Sequence, residues 1–117
     1  MFAYIFIIAF QVTLAPLVGA IAAGNCAIIK PSELSPNCAT VMKYIADKYL
    51  DPDCFQVITG GVQETTKLLE CKFDHIFYTG GGAVGRIVMA AASKFLTPVC
   101  NDMLHYFYMN SCHLSFS

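Results

Sequence analysis

Charge is scarce in this sequence and confined to its middle. Its 7 Lys and Arg and 8 Asp and Glu all lie between Lys30 and Asp102. The formal net charge is −1 and no basic face is apparent, so the electrostatic footprint that nucleic acid requires is missing. There is no Cys-x-x-Cys and no tight cluster of cysteine and histidine, and no metal site is expected. No Gly-Lys-Ser/Thr follows any glycine-rich stretch, which excludes a P-loop. Internal repeats and low-complexity linkers are absent too, leaving one domain of ordinary size as the frame.

What is abundant is apolar surface. The chain is 56% hydrophobic and 13% charged, against about 45–50% and about 25% in typical soluble domains. Such an excess implies either membrane contact or a core whose covering partners lie elsewhere. Six cysteines (Cys26, Cys38, Cys54, Cys71, Cys100, Cys112) sit partly inside apolar runs. They are expected to be small structural thiols in a reducing compartment.

Phe2–Ala23 has the length of a transmembrane helix, which needs about 20 apolar residues. Gln11, Thr13, Pro16 and Gly19 weaken that assignment, and no Lys or Arg flanks the N-terminal side. A signal peptide ending at Ala20-Ile21-Ala22 lacks its basic leader. The favoured expectation is a buried element of a soluble fold, with Val12–Ala23 as a helix covering one face of a sheet. Membrane association is the less favoured alternative.

From Asn25 to Val99 strands and helices alternate. Cys26–Lys30 is a short β-branched run ended by Pro31, as in a buried parallel strand. Ser35 then supplies an N-cap with Pro36 at the first helical position. Cys38, Met42, Ile45 and Tyr49 recur at helical spacing and predict one apolar face. Asp51-Pro52-Asp53 ends that helix. Phe55–Thr59 predicts a second strand, Val62–Glu70 a short helix with Glu64 near its start, and Phe73–Tyr78 a third strand. Ala83–Leu96 is the next helix, with Val84, Ile87, Val88, Ala91 and Phe95 on its apolar face; Thr97-Pro98-Val99 opens a fourth strand. Repeated βα units with short connections predict an α/β fold, a partial Rossmann-like parallel sheet with flanking helices. Cys100–Ser117 follows neither period.

Two places can carry chemistry. Lys30-Pro31-Ser32-Glu33 lies at the carboxyl end of the first strand, where open parallel sheets bind ligands. Its Lys and Glu can hold ribose hydroxyls, or simply form an exposed ion pair. Gly80-Gly81-Gly82-Ala83-Val84-Gly85 joins the third strand to its helix and matches Gly-x-Gly-x-x-Gly through Gly80, Gly82 and Gly85. The acidic residue expected about 20 positions downstream is absent, so a plain glycine-rich turn is the competing reading.

Longer stretches carry more information. Leu17-Val18-Gly19-Ala20-Ile21-Ala22-Ala23-Gly24-Asn25, Ile28-Ile29-Lys30-Pro31-Ser32-Glu33-Leu34-Ser35, and Phe77-Tyr78-Thr79-Gly80 leading into Val84-Gly85 resemble the aldehyde dehydrogenase superfamily. Gly60–Thr65, Phe73–Ile76 and Phe95–Val99 are similar to its class 3 branch, which includes fatty and medium-chain aldehyde dehydrogenases. The resemblance runs from about residue 10 to residue 99, a partial NAD(P)-binding domain, with residues 1–9 and 100–117 outside it. It implies an oxidoreductase parent that turns an aldehyde into a carboxylic acid with hydride transfer to NAD, or NADP in the alternative. It also implies that Lys30 and Glu33 contact the adenosine ribose, and that Gly80, Gly81, Gly82 and Gly85 form the phosphate-side loop. Gly81 stands where the family usually has a serine.

The catalytic parts of the family are not found in register. Its Trp-Asn-Tyr-Pro motif, whose Asn stabilises an oxyanion, falls at Phe6-Ile7-Ile8-Ala9. The Glu-Leu-Gly-Gly-Lys base motif is replaced by Cys100-Asn101-Asp102-Met103-Leu104. Met109-Asn110-Ser111-Cys112 only faintly echoes the stretch before the nucleophile, without its Gly-Gln. No catalytic residue is therefore assigned. The expectations are a cytoplasmic fragment of the parent enzyme, inactive by itself, whose ends arise from an altered exon, a frameshift or a spliced isoform. The alternatives are a truncated isoform that pairs with full-length subunits, as a homo- or hetero-oligomer, and a small membrane-anchored protein.

Overall fold

The computed structural model describes the backbone of residues 2–102 and the side chains of residues 10–101. Two compact units divide the chain, residues 1–71 and residues 72–117.

The first unit begins with helix α1 (Phe2–Ala22), longer than the Val12–Ala23 helix expected from sequence. Pro16 lies inside it, removing one backbone donor. The helix ends where the Ala-Gly-Asn sequence permits. Gly24 adopts φ 74°, its N–H donates to the Ile21 carbonyl at 3.0 Å, and the Asn25 N–H donates to Ala20 at 2.9 Å. These paired bonds around a left-handed glycine satisfy the last free carbonyls of the helix. Among the residues whose side chains are described, no helix is long and apolar enough to cross a membrane.

Strand β1 (Ala27–Ile29) pairs in parallel with β2 (Phe55–Val57), opposing Ala27 to Phe55 and Ile29 to Val57. Helix α2 (Pro36–Tyr49) makes the crossover between them. Leu17 of α1, Ile29, Ala46 of α2 and Val57 form the core, with Ala27, Leu50 and Phe55 packed around it. The strands therefore sit against helices through the alternate residues of their inner face, while Ile28 and Gln56 point outward.

Two expectations for α2 are corrected. Ser35 makes no side-chain cap; its carbonyl instead accepts the Ala39 N–H at 3.1 Å, and the fixed φ of Pro36 starts the helix. The buried stripe is Cys38, Ala39, Met42 and Ala46, whereas Ile45 and Tyr49 are exposed. The small Ala39 and Ala46 let the helix approach the strands, which turns the bulkier side chains to its flanks. Tyr49 and Tyr44 receive Lys48 over their rings instead, at 5.2 and 5.4 Å. Helix α3 (Val62–Leu68) is shorter than the expected Val62–Glu70. Its last turn tightens into bonds from Glu70 to Lys67 and from Cys71 to Leu68.

In the second unit, β3 (Ile76–Thr79) pairs in parallel with β4 (Val99–Asp102) across helix α4 (Gly82–Ser93). The third strand starts later than the expected Phe73; the Phe73 carbonyl instead accepts the Thr97 hydroxyl at 2.7 Å. The ladder is preceded by the bond from the Ile76 N–H to Pro98 at 3.0 Å. The fourth strand runs on to Asp102, although Cys100-Asn101-Asp102 has no strand pattern. Pairing of Tyr78 with Asn101 and Thr79 with Asp102 overrides a weak local preference. In α4 the buried residues are Gly85, Val88 and Ala92. Of the expected apolar face only Val88 is fully buried, and Val84, Ile87 and Phe95 remain exposed. A helix lying on two strands contacts them through a narrow stripe of small residues.

Burial at Met42, 5% exposed, makes Met42→Ala the sharper core test. It is expected to cost about 2–3 kcal/mol, read by denaturant unfolding, while Val41→Ala on the exposed side stays within about 0.5 kcal/mol. Leu96 ends the α4 turn at φ 55° and is 90% exposed. Leu96→Gly relieves a left-handed conformation at little packing cost and should stabilise by about 0.5–1 kcal/mol in the same assay.

Candidate functional site

The carboxyl ends of β1 and β2 lie side by side, since the Ile58 N–H donates to the Ile29 carbonyl at 2.9 Å. From this edge Lys30 and Glu33 emerge on the turn before α2. Their charges are 3.6 Å apart, with the Lys30 side chain 16% and the Glu33 side chain 53% exposed. The ammonium also donates to the Pro31 carbonyl at 3.0 Å, and Pro31 is itself buried. The Ser32 hydroxyl accepts the Leu34 N–H at 3.2 Å, which stiffens the turn. The result is a cation held by its own turn and a carboxylate open to solvent: a donor and an acceptor presented together, the pairing that vicinal hydroxyls need.

A third charged residue belongs to this edge. Glu64 was legible in sequence only as an acidic residue near a helix start. It accepts the Gly61 N–H at 2.8 Å, half of a capping box; glycine has no side chain with which to reciprocate. Its carboxyl is held below the ordinary 4.5 chiefly by its own backbone N–H, then by that of Gly61, with Lys67 and Lys30 adding electrostatically. Gly60 is required here. It adopts φ 142° and a Cβ would lie 2.5 Å from the Glu64 side chain, so any other residue is strained. The signal that could have found Glu64 was its position just after Gly60-Gly61.

The second unit holds the glycine turn by itself. Gly80 follows β3, Gly81 caps α4 with φ −71° and ψ 143°, and Gly82 begins the helix. A Cβ on Gly80 would collide with the Tyr78 hydroxyl, and that hydroxyl donates to the Gly81 carbonyl at 3.3 Å. Gly81 has open space around its Cβ position, so a ligand can approach its backbone. Gly85 has a different task. It is buried against Asn101 and Tyr78, each 3.4 Å from where a Cβ would stand, and seats α4 on the strands. The Thr79 hydroxyl and the Asn101 carbonyl oxygen beside this turn are buried without hydrogen-bond partners.

Lys30 and Glu33 present a donor and an acceptor to one ligand edge, and Gly81 leaves the start of a 12-residue helix open to an anion. The apolar crevice lined by Phe10, Leu14, Leu17, Met42 and Leu50 includes neither charge. Among the described residues no cluster suited to a metal ion occurs. Cys112 lies outside the described residues.

Glu64 generates a pH prediction. A carboxyl lowered on folding stabilises above 4.5, and that contribution is lost as the pH falls below 4.5 through the folded value. The thermal midpoint of the parent chain should exceed that of Glu64→Gln at neutral pH, and the gap should close in acid. A gap that persists in acid would assign the effect to something other than the carboxylate.

Residues 6–103 match the family described as "Aldehyde dehydrogenase family". Over 94 residues the chain is 61% identical to "Aldehyde dehydrogenase family 3 member A2" of Rattus norvegicus, covering 80% of this chain and 19% of that protein. It is 59% identical over 94 residues to "Aldehyde dehydrogenase, dimeric NADP-preferring" of Canis lupus familiaris, covering 80% and 21%. The solved structure titled "Substrate bound state of Staphylococcus Aureus AldH" superposes with a TM-score of 0.79 at 50% identity, covering 81% of this chain and 21% of that one. The chain thus spans about a fifth of the length of the relatives it matches.

Proposed function

Because this chain belongs to the aldehyde dehydrogenase family, we propose that it is a nicotinamide-nucleotide-binding portion of an NAD(P)-dependent aldehyde dehydrogenase and that these 117 residues bind without turning over. The parent reaction oxidises an aldehyde to a carboxylic acid. The nucleotide, when bound, supplies the hydride acceptor, and the residues of this chain would hold and orient it.

The Lys30–Glu33 pair carries the reading. Lys30 keeps one hydrogen bond to Pro31 and has further N–H donors for a ribose oxygen. The exposed Glu33 carboxylate accepts from a ribose hydroxyl and repels a 2′-phosphate. That charge favours NAD over NADP. Of the four glycines assigned to the phosphate loop, Gly81 and Gly82 serve a phosphate through backbone N–H groups at the helix start, while Gly80 makes room for Tyr78 and the Gly85 N–H already donates to the Gly81 carbonyl at 3.0 Å. Turnover is not expected because residues 6–9 provide no oxyanion donor, no Glu-Leu-Gly-Gly motif follows Val99, and Cys112 lacks the preceding Gly-Gln. A cytoplasmic, reducing location accords with the cysteine usage.

A second reading rests on the exposed apolar side chains. Leu34, Val62, Ile87 and Leu96 are 88%, 76%, 63% and 90% exposed. Pairing with full-length subunits would cover them. Co-purification with such a subunit supports this reading, and a stable monomer in its presence removes it.

Calorimetric titration of the purified chain with NAD tests the main proposal. Saturable binding is expected, weakened roughly 10- to 100-fold by Lys30→Ala through loss of a charge-assisted hydrogen bond. No heat at millimolar NAD would overturn it. Aldehyde-dependent formation of NADH should stay at the buffer rate; turnover above that rate would overturn the claim of inactivity.

A further inference from the structure

Outside the nucleotide-binding residues, two cysteines meet at the opposite end of the first unit. The register of β1 on β2 opposes Ala27 to Phe55, and the Ala27 N–H donates to the Cys54 carbonyl at 2.8 Å. Cys26 and Cys54 are therefore the next facing pair, one step toward the amino ends of both strands. Ala27 and Phe55 belong to the core side. Cys26 and Cys54 each stand one residue before these strands, Cys54 on a turn where its N–H donates to the Asp51 carbonyl at 3.1 Å, and the two thiols are hydrogen-bonded to each other. Cys26 is exposed and Cys54 half-buried. Neighbouring strands lie about 4.8 Å apart, inside the Cα separation of roughly 4.4–6.8 Å that a disulfide spans.

We propose that Cys26 and Cys54 are a modification site: a dithiol that a low-molecular-weight disulfide oxidises reversibly to an intrachain bridge, locking β1 and β2 around α2. The order of events follows from the surroundings. The Cys54 thiol is pushed up first by its hydrogen bond to Cys26 and by the charge of Cys26, then by burial and by Asp51 and Asp53 on the preceding turn. Cys26, the more exposed of the two, meets the oxidant first and acts as nucleophile. The Cys26 thiolate attacks one sulfur of the oxidant RSSR, forming a mixed disulfide and releasing RS⁻, which takes up the proton that Cys26 lost. Cys54 then loses its proton and attacks the Cys26 Sγ. The second RS⁻ leaves with that proton. Two protein thiols are oxidised to one disulfide, and RSSR is reduced to two RSH.

The bridge would enclose the whole crossover helix, the segment whose chain entropy most opposes parallel pairing. Its effect should appear as stability rather than as altered contacts at Lys30. Cys38 is buried within α2, Cys71 is exposed, and Cys100 faces Phe77 across the β3–β4 ladder, which sets the expected selectivity.

The full chain, folded at neutral pH, is incubated with oxidised glutathione and mapped by peptide mass spectrometry. The expected product is a Cys26–Cys54 cross-link lacking two hydrogen atoms and reversed by dithiothreitol. The thermal midpoint should rise by about 5–10 °C on oxidation and should not move in Cys26→Ser or Cys54→Ser. Mapping of the parent chain needs no variant, so a variant that fails to fold leaves the test intact. A stable glutathione adduct on Cys26 without a bridge would overturn the proposal. So would bridges spread over Cys38, Cys71, Cys100 and Cys112, or a cross-link that leaves the midpoint unchanged.

Discussion

Parallel pairing of two short strands requires a long crossover between them, and much of the first unit follows from that constraint. The β1–β2 ladder is brief, closed by the bonds from Ala27 to Cys54 and from Ile58 to Ile29. So short a ladder cannot hold itself, since loop closure must be offset by apolar burial. Ile29 and Val57 supply it only because Leu17 and Ala46 cover the same face. Helices α1 and α2 are thus conditions for the sheet. The same pairing sets the carboxyl ends of the strands side by side, which is why charged residues on separate turns share one edge.

That edge illustrates how backbone economy becomes chemistry. Lys30 is restrained by the Pro31 carbonyl and by Glu33, and the next turn is restrained by Glu64 on Gly61. Each bond alone is an ordinary turn or cap contact, worth little at an exposed site. Together they fix where a cation and carboxylates stand relative to the strand ends. In the second unit the equivalent work is done by absence of side chains. Gly80 makes room for Tyr78, Gly85 makes room for Asn101, and Gly81 is left open. A motif match that treats these glycines alike conceals three different reasons for them.

The first unit also has two ends with different character. The carboxyl end gathers charged groups, Lys30, Glu33 and Glu64. The amino end gathers two sulfur atoms. The common cause is register: whatever stands at matching positions on β1 and β2 is brought together, whether it serves the ligand or not.

Sequence by itself determined the order of elements, the turns and the family. Pro31, Pro36, Asp51-Pro52 and the Gly24, Gly60 and Gly80 turns act through local backbone sterics, which need no partner to be recognised. The Lys30-Pro31-Ser32-Glu33 and glycine-turn stretches stood out through their resemblance to the aldehyde dehydrogenase superfamily. Tertiary structure alone decided which faces were buried. Periodicity selected Ile45 and Tyr49 on α2 and Val84 and Ile87 on α4, but the small residues Ala39, Ala46, Gly85 and Ala92 won the contact. A helix rich in apolar side chains has several plausible faces, and the closest approach to a narrow sheet chooses among them. Strand β4 beyond Val99, Glu64 beside Lys30, and the facing of Cys26 and Cys54 were likewise invisible to local pattern. They depend on pairing between segments far apart in the chain, and only the folded register specifies that pairing.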